Sequence, residues 1–235
     1  MNLQAYIEQI EDFMGHEYGE VPRILNKEEF YSLACANEIK SRGDTPEVRA
    51  WLENKFEEEW TSLSKSTAAL YNGTEHVIVS MQETISDLTL THELSHAYLR
   101  NQWPGYYKMW LSAQRNGMRN FKAMQNYFVK NALIEGHADT VALNVCPKDE
   151  CDVRLQLFSL PRIWTKEYMI ITFAQSLNEE NPPEERYITF QIGSRSIGYN
   201  VVNNSLKKTD DRHETFKQLL LEKLTPEKLY NRLFY

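Results

Sequence analysis

Between Ser86 and Asn101 the chain has neither proline nor glycine, and residues 92–96 within it read His-Glu-Leu-Ser-His. A run of that length without breakers is a helix, and on a helix residues four apart share a face, so His92 and His96 project side by side. Ile85, Leu88, His92, His96 and Leu99 form one stripe, and Leu90, Leu94 and Ala97 form a second apolar face, so the helix is expected to be buried. Two histidines and Glu93 on a buried helix need polar partners or a metal ion, because an unpaired buried charge costs several kcal/mol by rough estimate. This is the feature that most narrows the fold, since other elements must wrap a polar cluster as well as an apolar core.

The HExxH spacing is also a two-point clamp for zinc, which takes neutral imidazole in a tetrahedral set and keeps one position for water in catalytic sites. With this composition the pattern is expected by chance only about 0.016 times in the chain. Glu93, next to the first ligand, is placed to deprotonate the attacking water and return the proton to a leaving amine. A third ligand has to come from further on, because the residues after His96, AYLRNQ, lack the Gly and His of HExxHxxGxxH. A second long helix, from about Met118 to Val145, contains ALIEGHADTVA, with Glu135 and Asp139 one turn apart. Glu135 would complete a His, His, Glu set, and Asp139 would accept a hydrogen bond from a ligating histidine. His137 is expected to point away from the metal, at the helix surface or as a second contact.

With these two segments the chain resembles the gluzincin metallopeptidases of the thermolysin and neprilysin type, in which HExxH is followed by a glutamate ligand and an aspartate four residues later. HELSH and EGHAD match that pattern, including the neprilysin-like ExxAD form, over about 60 residues. The resemblance implies His92, His96 and Glu135 as zinc ligands, Glu93 as general base and Asp139 as the group orienting His92. It also implies a zincin-like fold in which the strand before the HExxH helix, EHVIVSMQ, edges the cleft and pairs with an extended substrate. The chain departs from better known members: it has no GxMEN motif, it is far shorter than neprilysin, and RSIGYNVV places Arg195 where a Tyr-x-x-Gly helix would have tyrosine. The oxyanion donor stays open among Tyr199, Tyr187, Arg195 and His213, with Tyr199 entered as the catalytic candidate.

The rest of the chain fits a single unit of 235 residues, long enough for a sizeable core. Expected helices are NKEEFYSLACANEIK and PEVRAWLENKFEEEW, with starts at Asn26 and at Thr45-Pro46, then DVRLQLFSL, IWTKEYMIITFAQ, HETFKQLLLEKL and PEKLYNRLF. Pro147, Pro161, Pro182 and Pro183 mark breaks between the later ones. STAALY and EHVIVSMQ, joined at Asn72-Gly73, read as a hairpin or two adjacent strands. The expected fold is α+β, mostly helical, with a small sheet packed on the HExxH helix. It divides into an N-terminal helical segment or cap over residues 1–65, a metal-bearing core over 66–145, and a C-terminal helical subdomain over 146–235.

Among the side chains, WPGYYKMW (Trp103 to Trp110) is expected mainly in the core, with a substrate pocket as the second reading. Glu57 to Glu59 read as a solvated face, and Cys146 and Cys151 as plain thiols. The 26 Lys+Arg against 33 Asp+Glu leave a net charge of -7, which repels nucleic-acid phosphates and anionic lipid. Three cysteines without a CxxC pair, no positive region ahead of an apolar N-terminal stretch, and no apolar run near 18–20 residues point to a cytoplasmic protein without a membrane partner. The expected function is a zinc-dependent peptidase acting on a peptide or protein. Two alternatives stay beside it: a zinc-containing regulatory or interaction protein with little turnover, and a zinc hydrolase of a non-peptide amide.

Overall fold

The computed structural model describes residues 2–65, 67–116, 120–146 and 183–233, with side chains from 190 onward in the last segment. The expected helices DVRLQLFSL and IWTKEYMIITFAQ, and Cys151, lie outside the described residues. The chain is mostly helical with one three-stranded mixed sheet. Its elements are α1 (Leu3–Met14), β1 (Arg23–Leu25), α2 (Lys27–Arg42), α3 (Pro46–Ser64), β2 (Ala69–Asn72), β3 (Val77–Ser80), α4 (Asp87–Gln102), α5 (Pro104–Asn116), α6 (Phe121–Val145), α7 (Pro183–Leu206), α8 (Arg212–Leu221) and α9 (Pro226–Asn231). Among the described residues no helix is long and apolar enough to cross a membrane.

The hairpin forms as its sequence predicts, with β2 antiparallel to β3 in the register Leu70 to Val79 and Tyr71 to Ile78. β1, which local pattern did not reveal, pairs parallel to the other side of β3. β3 is therefore central, which corrects the expectation that EHVIVSMQ edges the cleft: both of its hydrogen-bonding edges are used. Its Val-Ile-Val run is buried on both faces, Ile78 joining the main core while Val77 and Val79 pack with Leu25 and Met81 beneath Phe30, Leu33 and Trp60. The turn differs in detail too. His76, not Gly73, carries the positive φ of 53°, while the Asn72 side chain accepts from the N–H of Thr74 and Glu75. Gly73 is needed for another reason, since a Cβ there would overlap the Tyr107 ring.

α4 starts at Ser86, whose hydroxyl accepts from the Thr89 N–H, and every residue from Leu90 to Leu99 is buried. The hydroxyl of Tyr18 donates to the Leu94 carbonyl at 2.7 Å, and the amides of Asn101 and Gln102 hold the backbone of residues 17–20. α6 begins at Phe121, with Asn120 as its cap, three residues after the expected start. Pro183, expected as a break, instead opens α7. α6 and α7 touch through their backbones at Gly136 and Gly198: a Cβ on Gly136 would overlap Gly198, and one on Gly198 would overlap Ala132. The main core joins α1, both hairpin strands and the helices from α4 to α9, so residues 1–65 split, α1 lying inside this core and α2 and α3 outside it.

Candidate metal centre

α4 and α6 pack so that three donor side chains meet. One ligand atom each from His92, His96 and Glu135 lies within 4.8 Å of the others, a group that could hold a metal ion. His92 Nε2 and His96 Nε2 are 3.1 Å apart, and the Glu135 carboxylate stands 3.5 Å from the first and 3.7 Å from the second. A tetrahedral zinc with ligands at about 2.0–2.1 Å separates its ligand atoms by about 3.3–3.4 Å, a value these edges bracket. Two ring nitrogens facing each other at that distance either share a proton or share a cation. The residues therefore fit the metal that their types predict.

Asp139, fully buried, sits one turn beyond Glu135 with Oδ1 at 2.9 Å from His92 Nδ1. A carboxylate there favours the Nδ1–H form of His92 and leaves its Nε2 lone pair facing Glu135 and His96. Asp139 is itself clamped by Arg195 of α7, Nε to Oδ2 at 3.0 Å and Nη2 to Oδ1 at 2.7 Å, while Arg195 also lies 3.7 Å from Glu135. The clamp depends on the glycine contact, because only bare backbones let α7 approach α6 closely enough. His96 is held differently: its ring lies 6.2 Å from that of Trp110 and within 12° of parallel. Trp110 Nε1 donates to Asn131 Oδ1, and Asn131 donates to Gln191 and Ser194 at 2.8 Å each.

Glu93 stands beside the donor set without belonging to it. It is 8% exposed, and its Oε2 accepts from the backbone N–H of Tyr71 at 2.7 Å. Burial pushes its pKa up to about 7, with the Glu135 charge adding to the rise and His92 opposing it. Burial also pushes His96 down to about 4. His92 moves up, because the Asp139 and Glu135 carboxylates outweigh its burial. Burial would raise Glu135, yet the histidines and Arg195 hold it down at about 2, and Arg195 and His92 likewise hold Asp139 below the usual carboxylate range.

These groups open on a cavity of about 260 Å³. One wall is β2, through Ala69, Leu70 and Tyr71, with Thr67 just ahead of it; the others are α5, through Tyr107, Trp110 and Gln114, and α7, through Gln191 and Arg195. No residue of α1, α2 or α3 lines it. The edge strand at the site is thus β2. WPGYYKMW serves both readings, since Tyr107 and Trp110 are buried and also line the cavity.

Of the four oxyanion candidates, Arg195 faces the cavity. Tyr199, one turn further along α7, is buried outside its lining, and His213 stacks between Trp103 and His16, at ring distances of 4.8 and 4.0 Å. The side chain of Tyr187 lies outside the described residues. His137 does point away from the metal group, but it is fully buried rather than at the surface, packed on Phe216, Tyr98 and Trp103.

Sequence reading missed Asn131, which continues the row of Glu135 and Asp139 one turn earlier on α6. Its signal was a spacing of four on an otherwise apolar helix, matched by Gln191 and Arg195 on α7. It also missed Tyr71, for which no signal exists, because its contribution to Glu93 is a backbone N–H. No family model matches the chain, and neither a curated protein nor a solved structure matches it.

Proposed function

We propose that the protein is a zinc-dependent metallopeptidase of gluzincin type, hydrolysing peptide bonds with Glu93 as general base. The observation that carries this reading is the convergence of His92, His96 and Glu135 with Glu93 alongside but outside the donor set. Two imidazoles and one carboxylate suit zinc, which when bound supplies a Lewis acid that activates water and polarises a carbonyl. Glu93 takes the proton of the attacking water and passes it to the departing nitrogen. The Tyr71 N–H fixes where that carboxylate points. Asp139 holds the tautomer of His92, and Arg195 holds Asp139.

Backbone groups alternate in direction along a strand, so Ala69, two residues before Tyr71, also turns its N–H and C=O away from β3. Apart from the Tyr71 N–H that Glu93 holds, no further strand pairs with that edge among the described residues, and it suits an extended peptide, which would add to the sheet beside Glu93. Arg195, with guanidinium protons not spent on Asp139, and Tyr107, whose hydroxyl has no hydrogen-bond partner among the described residues, replace Tyr199 as our candidates for stabilising the oxyanion.

The test is digestion of a peptide library by zinc-loaded protein, read by mass spectrometry, with bound metal measured in parallel. Glu93→Gln should keep its zinc and lose about 10²–10⁴-fold in turnover. His92→Ala should lose the metal. No cleavage by the loaded wild type, or unchanged turnover in Glu93→Gln, would overturn the proposal.

A further inference from the structure

A second cavity, about 580 Å³, lies apart from the metal group between α5, the N-terminal half of α6 and residues 220–227. Its volume is within the range of about 300–1,000 Å³ typical of small-molecule sites. Val129, Leu224 and Pro226 give it an apolar side. The polar side consists mainly of donors. Lys130 is half-buried, makes no ion pair among the described residues, and holds its Nζ 5.1 Å from the centre of the Tyr106 ring. The Tyr106 hydroxyl has no hydrogen-bond partner among the described residues, and Lys122 and Asn126 stand on the same wall. Two carboxylates also line the cavity: Glu222 is already occupied, both of its oxygens lying 2.7 Å from Arg232 Nη2, and Glu227 stands in the first turn of α9. Lys228 adds another ammonium nearby, donating to the Lys223 carbonyl at 3.2 Å.

In a chain of net charge -7 the lining holds Lys122, Lys130 and Lys223 against Glu222 and Glu227, a local excess of cations, and Lys130, the least exposed of the three, makes no ion pair among the described residues. Burial lowers the pKa of Lys130, which a bound anion would reverse. We infer that this cavity binds a small molecule with an apolar body and one carboxylate, the head on Lys130 and the Tyr106 hydroxyl and the body against Val129, Leu224 and Pro226. A monoanion fits better than a phosphate, whose heavier hydration would have to be stripped against the apolar side.

The test is calorimetric titration of the full chain with octanoate, 1-octanol and inorganic phosphate. Octanoate should saturate at one per chain, and neither octanol nor phosphate should. Lys130→Met keeps the stem over Tyr106 and should weaken octanoate about tenfold or more, since hydrogen bonds to charged groups are among the stronger ones. Tyr106→Phe should weaken it severalfold, and it stands as the second variant if circular dichroism shows that Lys130→Met has not folded. Absence of saturation, wild-type affinity in the folded variants, or equal binding of octanol or phosphate would overturn the inference. None of these readouts depends on the metal or on peptide cleavage.

Discussion

The α2–α3 hairpin and the α4–α6–α7 crossing are both helical, but they are held by opposite means. α2 buries no residue and α3 only Leu52. Their order comes from local chemistry: the reciprocal cap of Asn26 and Glu29, the Thr45 cap ahead of Pro46, and surface pairs such as Arg42 with Glu38 and Lys55 with Glu59. Such pairs contribute little each. At the crossing, caps matter less than burial, backbone contact and a fully buried carboxylate. Local order supports an arm that can vary, whereas the group that brings three possible metal donors within 4.8 Å of one another lies where neighbours constrain every side chain.

The sharpest way to break that contrast is Asp139→Ala. It leaves Arg195 without its bidentate partner; removing one member of a buried pair typically costs about 3–5 kcal/mol, and because Arg195 is 30% exposed and keeps Glu135 at 3.7 Å the loss should fall at the low end, read as a lower denaturation midpoint. Glu135→Ala should be milder for stability, yet it should show the reverse order in a zinc competition with a chelator. There Glu135→Ala loses a ligand and binds weakest, while Asp139→Ala loses about 10–100-fold. If the two measurements ranked the variants alike, the separation of roles between Glu135 and Asp139 would fail.

Next in size is Gly198→Ala, one methyl group driven against the α6 backbone. It should destabilise by about 1–3 kcal/mol and lower zinc retention with it, because the shifted helix carries Arg195. Ala36→Gly in the arm is the matching control: it should cost about 0.5–1 kcal/mol by helix propensity alone and leave zinc retention unchanged.

His137→Phe tests whether polarity at the crossing always has a purpose. Both ring nitrogens are buried among aromatic rings without hydrogen-bond partners among the described residues, and burial pushes the imidazole down to about 3. Phenylalanine should match or exceed the wild-type midpoint, by up to about 1 kcal/mol, since no hydrogen bond is lost. A large loss would show that the histidine has a role these contacts do not reveal. The smallest effect is expected for Trp51→Ala. That ring is 39% exposed, with the Arg42 guanidinium at 4.5 Å and the Lys55 ammonium at 4.9 Å, and its removal should cost under about 1 kcal/mol in the same denaturation assay.

The same contrast explains what could be read before any coordinates. The starts of α2 and α3 are legible because the signals that set them are local, Asn26 with Glu29 and Thr45 with Pro46, whereas the helices run on to Arg42 and Ser64, two and four residues past the expected ends. α7 was not foreseen as a helix, since Pro183 marked a break as plausibly as a start, and the three-residue β1 was too short for period or composition to register. β3 was recognised as a strand but misplaced at an edge, because its apolar run signals burial and not which neighbour covers which side.

At the centre itself, the sequence alone determined that His92 and His96 share a face, that Glu93 lies beside them, and that Glu135 and Asp139 stand one turn apart, because helical periodicity is a property of consecutive residues. Only the tertiary structure decided that these two helices bring their polar rows together. It likewise decided that Arg195, and not Tyr199, reaches the cavity, and that a backbone N–H of β2 holds the Glu93 carboxylate. Those outcomes depend on how close elements far apart in the chain can approach. Here the approach is set by two missing side chains, at Gly136 and Gly198, whose effect cannot be seen until the backbones meet.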